Sequence, residues 1–318
     1  MPYRVEDVSV IIVNFNGGAV LARAIESVLR LTPSPGELIV LDNGSTDDSL
    51  AIIQRYLSDA RVRPIVSHEN LGVAGGRNLA VSQALHPLLG FLDADGEALP
   101  EWLVEAVAAL NRYPDAGAVA PLVLMEGGQR INGAGSVLDA AGHGHDRLWG
   151  EDAATQREQL QAWAELPVDY AMGCGLVLRG EGGEAIWPLD DTLLKWHDDT
   201  EIGIRLARLG FVTRFIPASR LLHWPGHSNP INPLARHAQA EQARFYLLLK
   251  YYPRHVLGWS LAHYLLHAAS GSRRDPSRLD EARALLGFLW RHRHRARTIR
   301  KQWPSRRPRR FLRLDSGR

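Results

Sequence analysis

The sequence predicts an α/β fold in which helices wrap a doubly wound, parallel sheet, and three observations predict it. Short apolar runs alternate with helical patterns from Val8 to Leu92, the signature of consecutive βαβ units. Those runs end in polar or glycine-rich residues at Asn14 to Gly18, Asp42 to Ser45 and Asp93 to Gly96. In such a sheet the strand C-termini converge on one crevice, where ligands bind. The 318 residues are 45% hydrophobic and 23% charged, an ordinary folded composition with room for one elaborated domain or two.

The elements follow in order. Val8–Val13 is a strand-length apolar run that stops at Asn14, and Asn16-Gly17-Gly18 leads into a helical pattern from Ala19 to Leu31. Thr32-Pro33-Ser34-Pro35-Gly36 punctuates it, since neither proline nor glycine continues a helix well. Glu37–Leu41 is a second strand ending in Asp42-Asn43-Gly44-Ser45. Thr46-Asp47-Asp48 opens a helix through Leu57, with acids at the positive end of its dipole. Val62–Val66 is a third strand, Gly75–Leu85 a third helix and Pro87–Leu92 a fourth strand. A helix over Glu101–Arg112 and a strand over Ala116–Val123 come next. Residues 126–165 are glycine-rich and polar, the pattern of a variable loop or small insertion. Val168–Leu178 returns to strand composition around Gly173-Cys174-Gly175. A helix from about Thr200 to Leu209 follows Asp198-Asp199, and Phe211–Ile216 reads as a strand. After Pro233 the pattern is helical, with Trp and Tyr abundant. The expected organisation is a catalytic-type domain over 1–228, a helical region over 229–290 and a basic tail over 291–318.

The net charge of +2 hides an asymmetry: residues 291–318 carry 12 Arg or Lys against one acid, Asp315, so the body is acidic and the tail strongly basic. Basic tails serve phosphate-rich surfaces, either lipid or nucleic acid. The lone cysteine, Cys174, excludes an intramolecular disulfide and fits a reducing compartment. It either lines the site or packs in the core. Met1-Pro2-Tyr3-Arg4 leads into the first strand without a signal-peptide apolar region, and no uninterrupted apolar stretch approaches the ~20 residues that span a bilayer. The expectation is a cytoplasmic protein, in one reading peripheral at the inner face of the membrane.

Phe91-Leu92-Asp93-Ala94-Asp95-Gly96 carries the chemistry. If the apolar run before it is a buried strand, alternation puts Asp93 and Asp95 on one side of the backbone. Two carboxylates held together repel unless a positive charge sits between them, and a divalent cation carrying phosphate oxygens is the natural partner. There is no G-x-G-x-x-G after the first strand and no P-loop, which leaves dinucleotide redox chemistry and P-loop chemistry without support.

Taken together, these segments resemble the family 2 glycosyltransferases, and most closely their rhamnosyltransferase-like members. The resemblance runs in ordered blocks over roughly residues 8–255. Val10-Ile11-Ile12-Val13-Asn14-Phe15-Asn16-Gly17 is similar to the family's opening strand, and Val40-Leu41-Asp42-Asn43-Gly44-Ser45-Thr46-Asp47 to its second-strand signature. Asn70-Leu71-Gly72-Val73-Ala74-Gly75-Gly76-Arg77-Asn78 resembles the block before the third helix, and Asp93-Ala94-Asp95 falls at the metal-binding D-x-D. Lys195-Trp196-His197-Asp198-Asp199-Thr200-Glu201 resembles the acidic block that holds the catalytic base, with Asp198 where the family has Glu. Leu222-His223-Trp224-Pro225-Gly226-His227-Ser228 resembles the final H-x-x-G-x-S block.

The resemblance implies the GT-A (nucleotide-diphospho-sugar transferase) fold, a doubly wound mixed sheet flanked by helices, here with a helical basic C-terminal extension. It implies an inverting, metal-dependent transferase that moves a sugar from a UDP- or dTDP-sugar, dTDP-rhamnose among them. The acceptor would be a hydroxyl of a glycan or polyprenyl-linked glycan in surface-polysaccharide assembly. Asp199 would be the base that takes the acceptor's proton. Asp95 and His223, with His227 as fallback and Asp93 beside them, would hold Mg²⁺ or Mn²⁺. Asn14, Asn16, Asp42, Asn43, Arg77, Asp93, Asp198 and Trp196 would bind substrate. Several of these residues have two readings. Asp42 either accepts the N3–H of a uracil or thymine base or serves as a turn residue. Arg77, placed at a helix start, either faces an anion (the nucleotide or Asp93) or is a solvated surface arginine. Trp187 and Trp196 either stack on sugar faces or are core aromatics. Gly72, Gly75 and Gly76 would let the backbone approach the nucleotide.

Two other classes compete. A catalytically silent sugar-nucleotide or glycan-binding module shares the fold, but Asp199 would be superfluous to it. A nucleic-acid-binding protein would rest on the arginine tail, with only Trp303 and Phe311 as aromatic support. The stretch Val256–Ala269, with the tail, is either an interfacial amphipathic anchor or a helix packed on the body followed by a solvated tail.

Overall fold

The computed structural model describes residues 1–180, 186–192, 195–224, 233–271 and 277–303. The chain divides into two compact units. The first comprises Met1–Val137, Asp146–Leu194 and Asp198–Pro230; the second comprises Leu138–His145, Lys195–His197 and Ile231–Arg318.

The first half of the first unit follows the predicted alternation: β1 (Val8–Asn14), α1 (Ala19–Leu29), β2 (Glu37–Asn43), α2 (Ser49–Gln54), β3 (Val62–Ser67), α3 (Gly72–Val81) and β4 (Leu88–Phe91). These strands lie in the order β4-β1-β2-β3, all parallel. β4, β1 and β2 are covered on both faces, which is why they read as continuous apolar runs, whereas the edge strand β3 leaves Pro64 and Val66 exposed. Val10, Ile12, Leu38 and Val40 join Leu21 and Ile25 of α1 in one core cluster. Ile11, Ile39 and Leu41 point the other way and pack with Ala80 of α3. Each such fully buried Val, Leu or Ile contributes about 1.5–3 kcal/mol relative to exposure.

The second half makes the sheet mixed. It contains β5 (Gly96–Ala98), α4 (Trp102–Arg112), β6 (Ala116–Met125), β7 (Ile131–Ala134), β8 (Ser136–Leu138), β9 (Gly144–Asp146) and α5 (Arg157–Ala162). Then come β10 (Pro167–Val168), β11 (Val177–Arg179), α6 (Asp198–Leu209) and β12 (Val212–His223). The main strand order is β10-β12-β6-β11-β4-β1-β2-β3, with β5 and β7 on its flanks. β11 runs antiparallel to both β4 and β6, whereas β12 is parallel to β6. The all-parallel sheet read from the strand–helix alternation is thereby corrected to the mixed sheet that the family resemblance implied.

Four local differences bear on function. Asp93 and Asp95 do not extend a strand: β4 stops at Phe91, and a turn closed by Gly96 N–H donating to Asp93 O (2.8 Å) brings the acids together. β12 continues seven residues beyond the predicted Ile216 and pairs antiparallel with β5. Residues 126–165, expected as a variable loop or small insertion, contain β7, β8, β9 and α5, so they are a structured insertion and not an open loop. Val168–Leu178 is strand only at its two ends, and the span between them carries Gly173.

The second unit is helical beyond Pro233: α7 (Pro233–Tyr251), α8 (Arg254–Gly271) and α9 (Ser277–Gln302). Phe245 and Tyr246 of α7 are fully buried. Phe245 meets Tyr264 of α8 edge-on at 5.3 Å, and Tyr246 meets Phe288 of α9 at 5.6 Å. α9 runs through residue 291, so the start of the basic stretch is helical. Residues 304–318, which hold the rest of it, lie outside the described residues. No described helix is long and apolar enough to cross a membrane.

Candidate active site

Antiparallel pairing of β5 with β12 sets His223 opposite Gly96, one residue from Asp95. Trp224 N–H donates to the Asp95 carbonyl at 2.9 Å and locks the junction. His223 Nε2 lies 3.4 Å from Asp95 Oδ1 and 3.8 Å from Asp93 Oδ2. One ligand atom from each of Asp93, Asp95 and His223 falls within 4.8 Å of the others. Asp95 is 4% exposed, while the Asp93 side chain keeps 42% of its surface open. Two carboxylates and an imidazole form an oxygen-rich donor set that could hold a divalent cation.

The ring of His223 is oriented from behind by a residue that no sequence motif singles out. Its Nδ1–H donates to Asn132 Oδ1 on β7 at 2.7 Å, and Asn132 is 4% exposed. With Nδ1 bonded to Asn132, Nε2 faces the acids: protonated, it donates toward Asp95, and a bound cation would take its lone pair in place of that proton. Burial of the imidazole lowers its pKa, but the hydrogen bond and charge of Asp95, with Asp93 and Asp146, outweigh it and the net shift is upward. Asn132→Leu is expected to weaken Mn²⁺ binding by about 10–100-fold, the range for such supporting residues. Asn132→Asp, which keeps the acceptor, should restore most of it. Mn²⁺ titration by calorimetry reads the difference, and an unchanged affinity in Asn132→Leu would remove Asn132 from the site.

The second cluster is organised by Arg77. It lies inside α3, not at its start, and is only 3% exposed, so the surface-arginine reading is overturned. Its Nη1 donates to Asp198 Oδ2, its Nη2 donates to Gly173 O at 2.8 Å, and Nη2 sits 3.6 Å from Asp93 Oδ1. The guanidinium also lies over the Phe91 ring at 5.0 Å. Burial opposes its charge, yet Asp198, Asp93 and Asp199 raise its pKa. Asp198 and Asp199 form the first turn of α6, where the helix dipole favours anions. Asp199 Oδ1 accepts the Thr200 N–H at 2.6 Å, and Oδ2 accepts the Gly173 N–H at 3.1 Å. Burial, reinforced by the neighbouring Asp198 and only partly offset by Arg77, pushes Asp199 up to about 7. Asp93 is raised too, by loss of hydration and by Asp95 and Asp198, against Arg77 and His223.

Gly173 therefore serves both partners, with its carbonyl on Arg77 and its N–H on Asp199. A Cβ there would meet Arg77 Nη2 at 2.7 Å, so a side chain would push the guanidinium out. Cys174 beside it is a buried core residue, with its thiol pushed up by burial.

At the ends of β1 and β2 a polar network replaces open donors and acceptors. Asn14 donates from Nδ2 to Asp42 Oδ1 and to Ser45 Oγ, each at 3.2 Å. Asp42 is 1% exposed, and its Oδ2 accepts the Ser45 N–H at 3.1 Å, the turn role named among its two readings. Asn16, at φ 53°, donates its N–H to Ser45 Oγ and accepts from the Thr46 N–H at 2.8 Å. Asn43 donates to Asn70 and Gly72 O and accepts the Leu71 N–H, tying β2 to the start of α3. Gly75 and Gly76 lie within α3, and a Cβ on Gly76 would meet Val13 Cγ1 at 2.8 Å. Close packing of helix on sheet is thus a role for Gly76 that the sequence reading missed. Trp187 packs on Phe91, ring centroids 5.9 Å apart, as a core aromatic. Trp196 falls in the short segment assigned to the second unit, with φ 77° and Lys195 Nζ 5.5 Å from its ring centroid. His227 lies outside the described residues.

The parallel half-sheet, its antiparallel insertions and the acid turn at the end of β4 make up the GT-A architecture. GalNAc-T7, crystallised with UDP, GalNAc and Mn²⁺, aligns with a TM-score of 0.61 at 19% identity, covering 93% of this chain and 58% of that one. The Pyrobaculum calidifontis mannosyltransferase PcManGT, in complex with GDP-Man and Mn²⁺, aligns at 0.54 and 16% identity, covering 92% and 88%. Residues 9–173 match the model of glycosyl transferase family 2, and the chain belongs to that family of glycosyltransferase enzymes. In sequence it is similar to an N-acetylglucosaminyl-diphospho-decaprenol L-rhamnosyltransferase of Mycobacterium tuberculosis, 27% identical over 272 residues, 79% of this chain and 85% of the relative. The family match ends before Asp199 and His223.

Proposed function

We propose that this glycosyltransferase moves a sugar, with inversion, from a UDP- or dTDP-sugar to a hydroxyl of a lipid-linked glycan. The Mycobacterium relative's name, an L-rhamnosyltransferase, favours rhamnose as the sugar, which fits dTDP-rhamnose among these donors. One observation carries the reading: the buried guanidinium of Arg77 joins Asp93 of the acid–histidine cluster to Asp198, the neighbour of Asp199. The leaving-group end and the attacking end of a transfer are thereby held by one side chain.

In this reading Asp95 and His223, with Asp93, hold Mg²⁺ or Mn²⁺, which when bound neutralises charge on the departing nucleoside diphosphate. Asp199 takes the proton from the acceptor hydroxyl, and a carboxyl poised near neutrality suits that task. Asp198 keeps Arg77 in place. Asn14, Asn16, Asp42 and Asn43 shape the nucleotide end of the crevice, Asp42 chiefly by holding Asn14 and the Ser45 backbone. Trp196 remains a candidate sugar contact.

A peripheral, cytoplasmic-face membrane position belongs to the same reading. On α9, Leu279, Leu286 and Trp290 are exposed and recur at seven- and four-residue spacing, one helical face, with Arg283 and Arg293 three or four residues from them. Co-sedimentation with phosphatidylserine vesicles tests this position, and recovery of all the protein in the supernatant at low salt would remove it.

Product analysis with dTDP-rhamnose, UDP-GlcNAc and UDP-Gal on a GlcNAc-diphospho-polyprenol acceptor tests the transfer, each with Mn²⁺ and with EDTA. A rhamnosylated lipid formed only with metal is expected. Thermal shifts without product from any donor would leave a binding module instead.

A further inference from the structure

The second unit contains a cleft that the transfer chemistry does not use. Its volume is about 620 Å³, within the ~300–1,000 Å³ of small-molecule sites. The segment around Asp139–His143 lines it together with α7, α8 and the start of α9. We propose that this cleft holds a pyranose ring of the glycan acceptor, with Trp259 as the platform and Ser260 and Glu281 as hydrogen-bonding partners. The choice of ligand class rests on the glycosyltransferase reading.

Three observations carry the assignment. Trp259 is 64% exposed, and its indole lies nearly parallel to the imidazole of His263, centroids 5.7 Å apart at 11°. A flat aromatic face braced in this way offers its negative π surface to the weakly positive C–H face of a sugar ring. Ser260, next to it, is 4% exposed and among the described residues its hydroxyl has no hydrogen-bond partner, although it lines the cleft. An unmet buried hydroxyl costs about 1–3 kcal/mol, and a ligand hydroxyl would relieve that cost.

The charges select a neutral polyol over a phosphate. Asp139, Glu241 and Glu281 line the cleft with Arg244 and Arg278, three carboxylates against two guanidinium groups, and Arg278 Nη1 lies 3.4 Å from His267 Nδ1. Arg244 is already held by both oxygens of Glu241, at 2.9 and 2.7 Å, and by Ala141 O at 2.8 Å. Carboxylates repel a diphosphate or an anionic leaflet but accept hydrogen bonds from sugar hydroxyls. Tyr264, its pKa raised by burial and by Glu281 and Glu241, stays a neutral phenol that can donate as well.

Saturation-transfer NMR on the full chain tests this, with methyl α-L-rhamnopyranoside and methyl N-acetyl-β-D-glucosaminide as probes. Transfer to the ring protons of at least one is expected. Trp259→Ala should weaken binding about tenfold or more, the scale of one good aromatic contact. Trp259 is exposed, so an unchanged thermal midpoint is expected to show that the variant is folded. Asp95→Ala should bind the saccharide as the wild type does. Absence of transfer from both probes, or equal transfer in Trp259→Ala, overturns the proposal. So does binding that Asp95→Ala abolishes, which would place the sugar at the acid–histidine cluster. A chain that transfers no sugar yet shows Trp259-dependent saturation would lose the catalytic reading and keep this one.

Discussion

Asp199→Asn is expected to bind the nucleotide sugar with wild-type affinity and to lose turnover by about 10²–10⁴-fold, the span a positioned general base supplies. The amide is nearly isosteric, and its one carbonyl oxygen can keep the Thr200 N–H bond that anchors the first turn of α6, while the NH2 in place of Oδ2 gives up the Gly173 N–H bond and the proton acceptor is gone. In the wild type, kcat/KM should rise with pH up to about 7, as the buried carboxyl loses its proton. Stability should move the other way. The folded pKa of about 7 exceeds the ordinary 3.8, so the folded state holds this proton more tightly than the unfolded chain. Any stability tied to the neutral carboxyl is present below about 4 and lost as pH climbs through about 7; Asp199→Asn should lack that loss. Initial rates and thermal midpoints from pH 5 to 9 measure both. Turnover near the wild-type level, with the acid limb intact, would assign the base elsewhere.

Asp95→Ala should remove metal-dependent transfer altogether, a loss of about 10³-fold or more if the cation supplies several kcal/mol at the leaving group. Asp95 is the most enclosed of the three ligand candidates, and it faces His223 at 3.4 Å. Its removal leaves Asp93, which is partly open and 3.8 Å from His223, beside a single imidazole. EDTA should bring the wild type down to the same residual rate and have no further effect on the variant. Wild-type activity that survives exhaustive chelation would sink the cation role and leave Arg77 and His223 as the cationic groups in reach of the diphosphate.

The first four strands and their helices were legible because β1, β2 and β4 are buried on both faces and β3 keeps an apolar run at the sheet edge, so hydrophobic runs and breaks coincide with element ends. Composition misled where a strand is short or polar. β5 has three residues, Gly96-Glu97-Ala98, and β9 is Gly144-His145-Asp146, neither with a pattern of its own. β12 carries Pro217, Ser219 and Arg220, and its register shifts between Ile216 and Arg220, so apolar periodicity ends there while the strand continues. Arg77 was visible as an anomaly, a cation near the start of a helix, and the structure shows its answer 121 residues away at Asp198. Asn132 had no local signal at all, since an asparagine between Ile131 and Gly133 reads as part of a turn.

By itself the sequence determined the half-sheet, the family resemblance and the identity of the acids, because side-chain period and ordered motifs are local properties of the chain. Only the tertiary structure decided how those acids are used. The acids at 93 and 95 meet through a turn, not through strand alternation. His223 joins them because β12 pairs back onto β5, and Asp199 is poised because α3, Gly173 and α6 close around one arginine. A hydrogen bond between residues 91 apart orients the histidine ring with Nε2 toward the acids. Burial, with the adjacent Asp198, raises the Asp199 pKa against the charge of Arg77, which comes from a distant part of the chain. No sequence window contains both partners of such a contact.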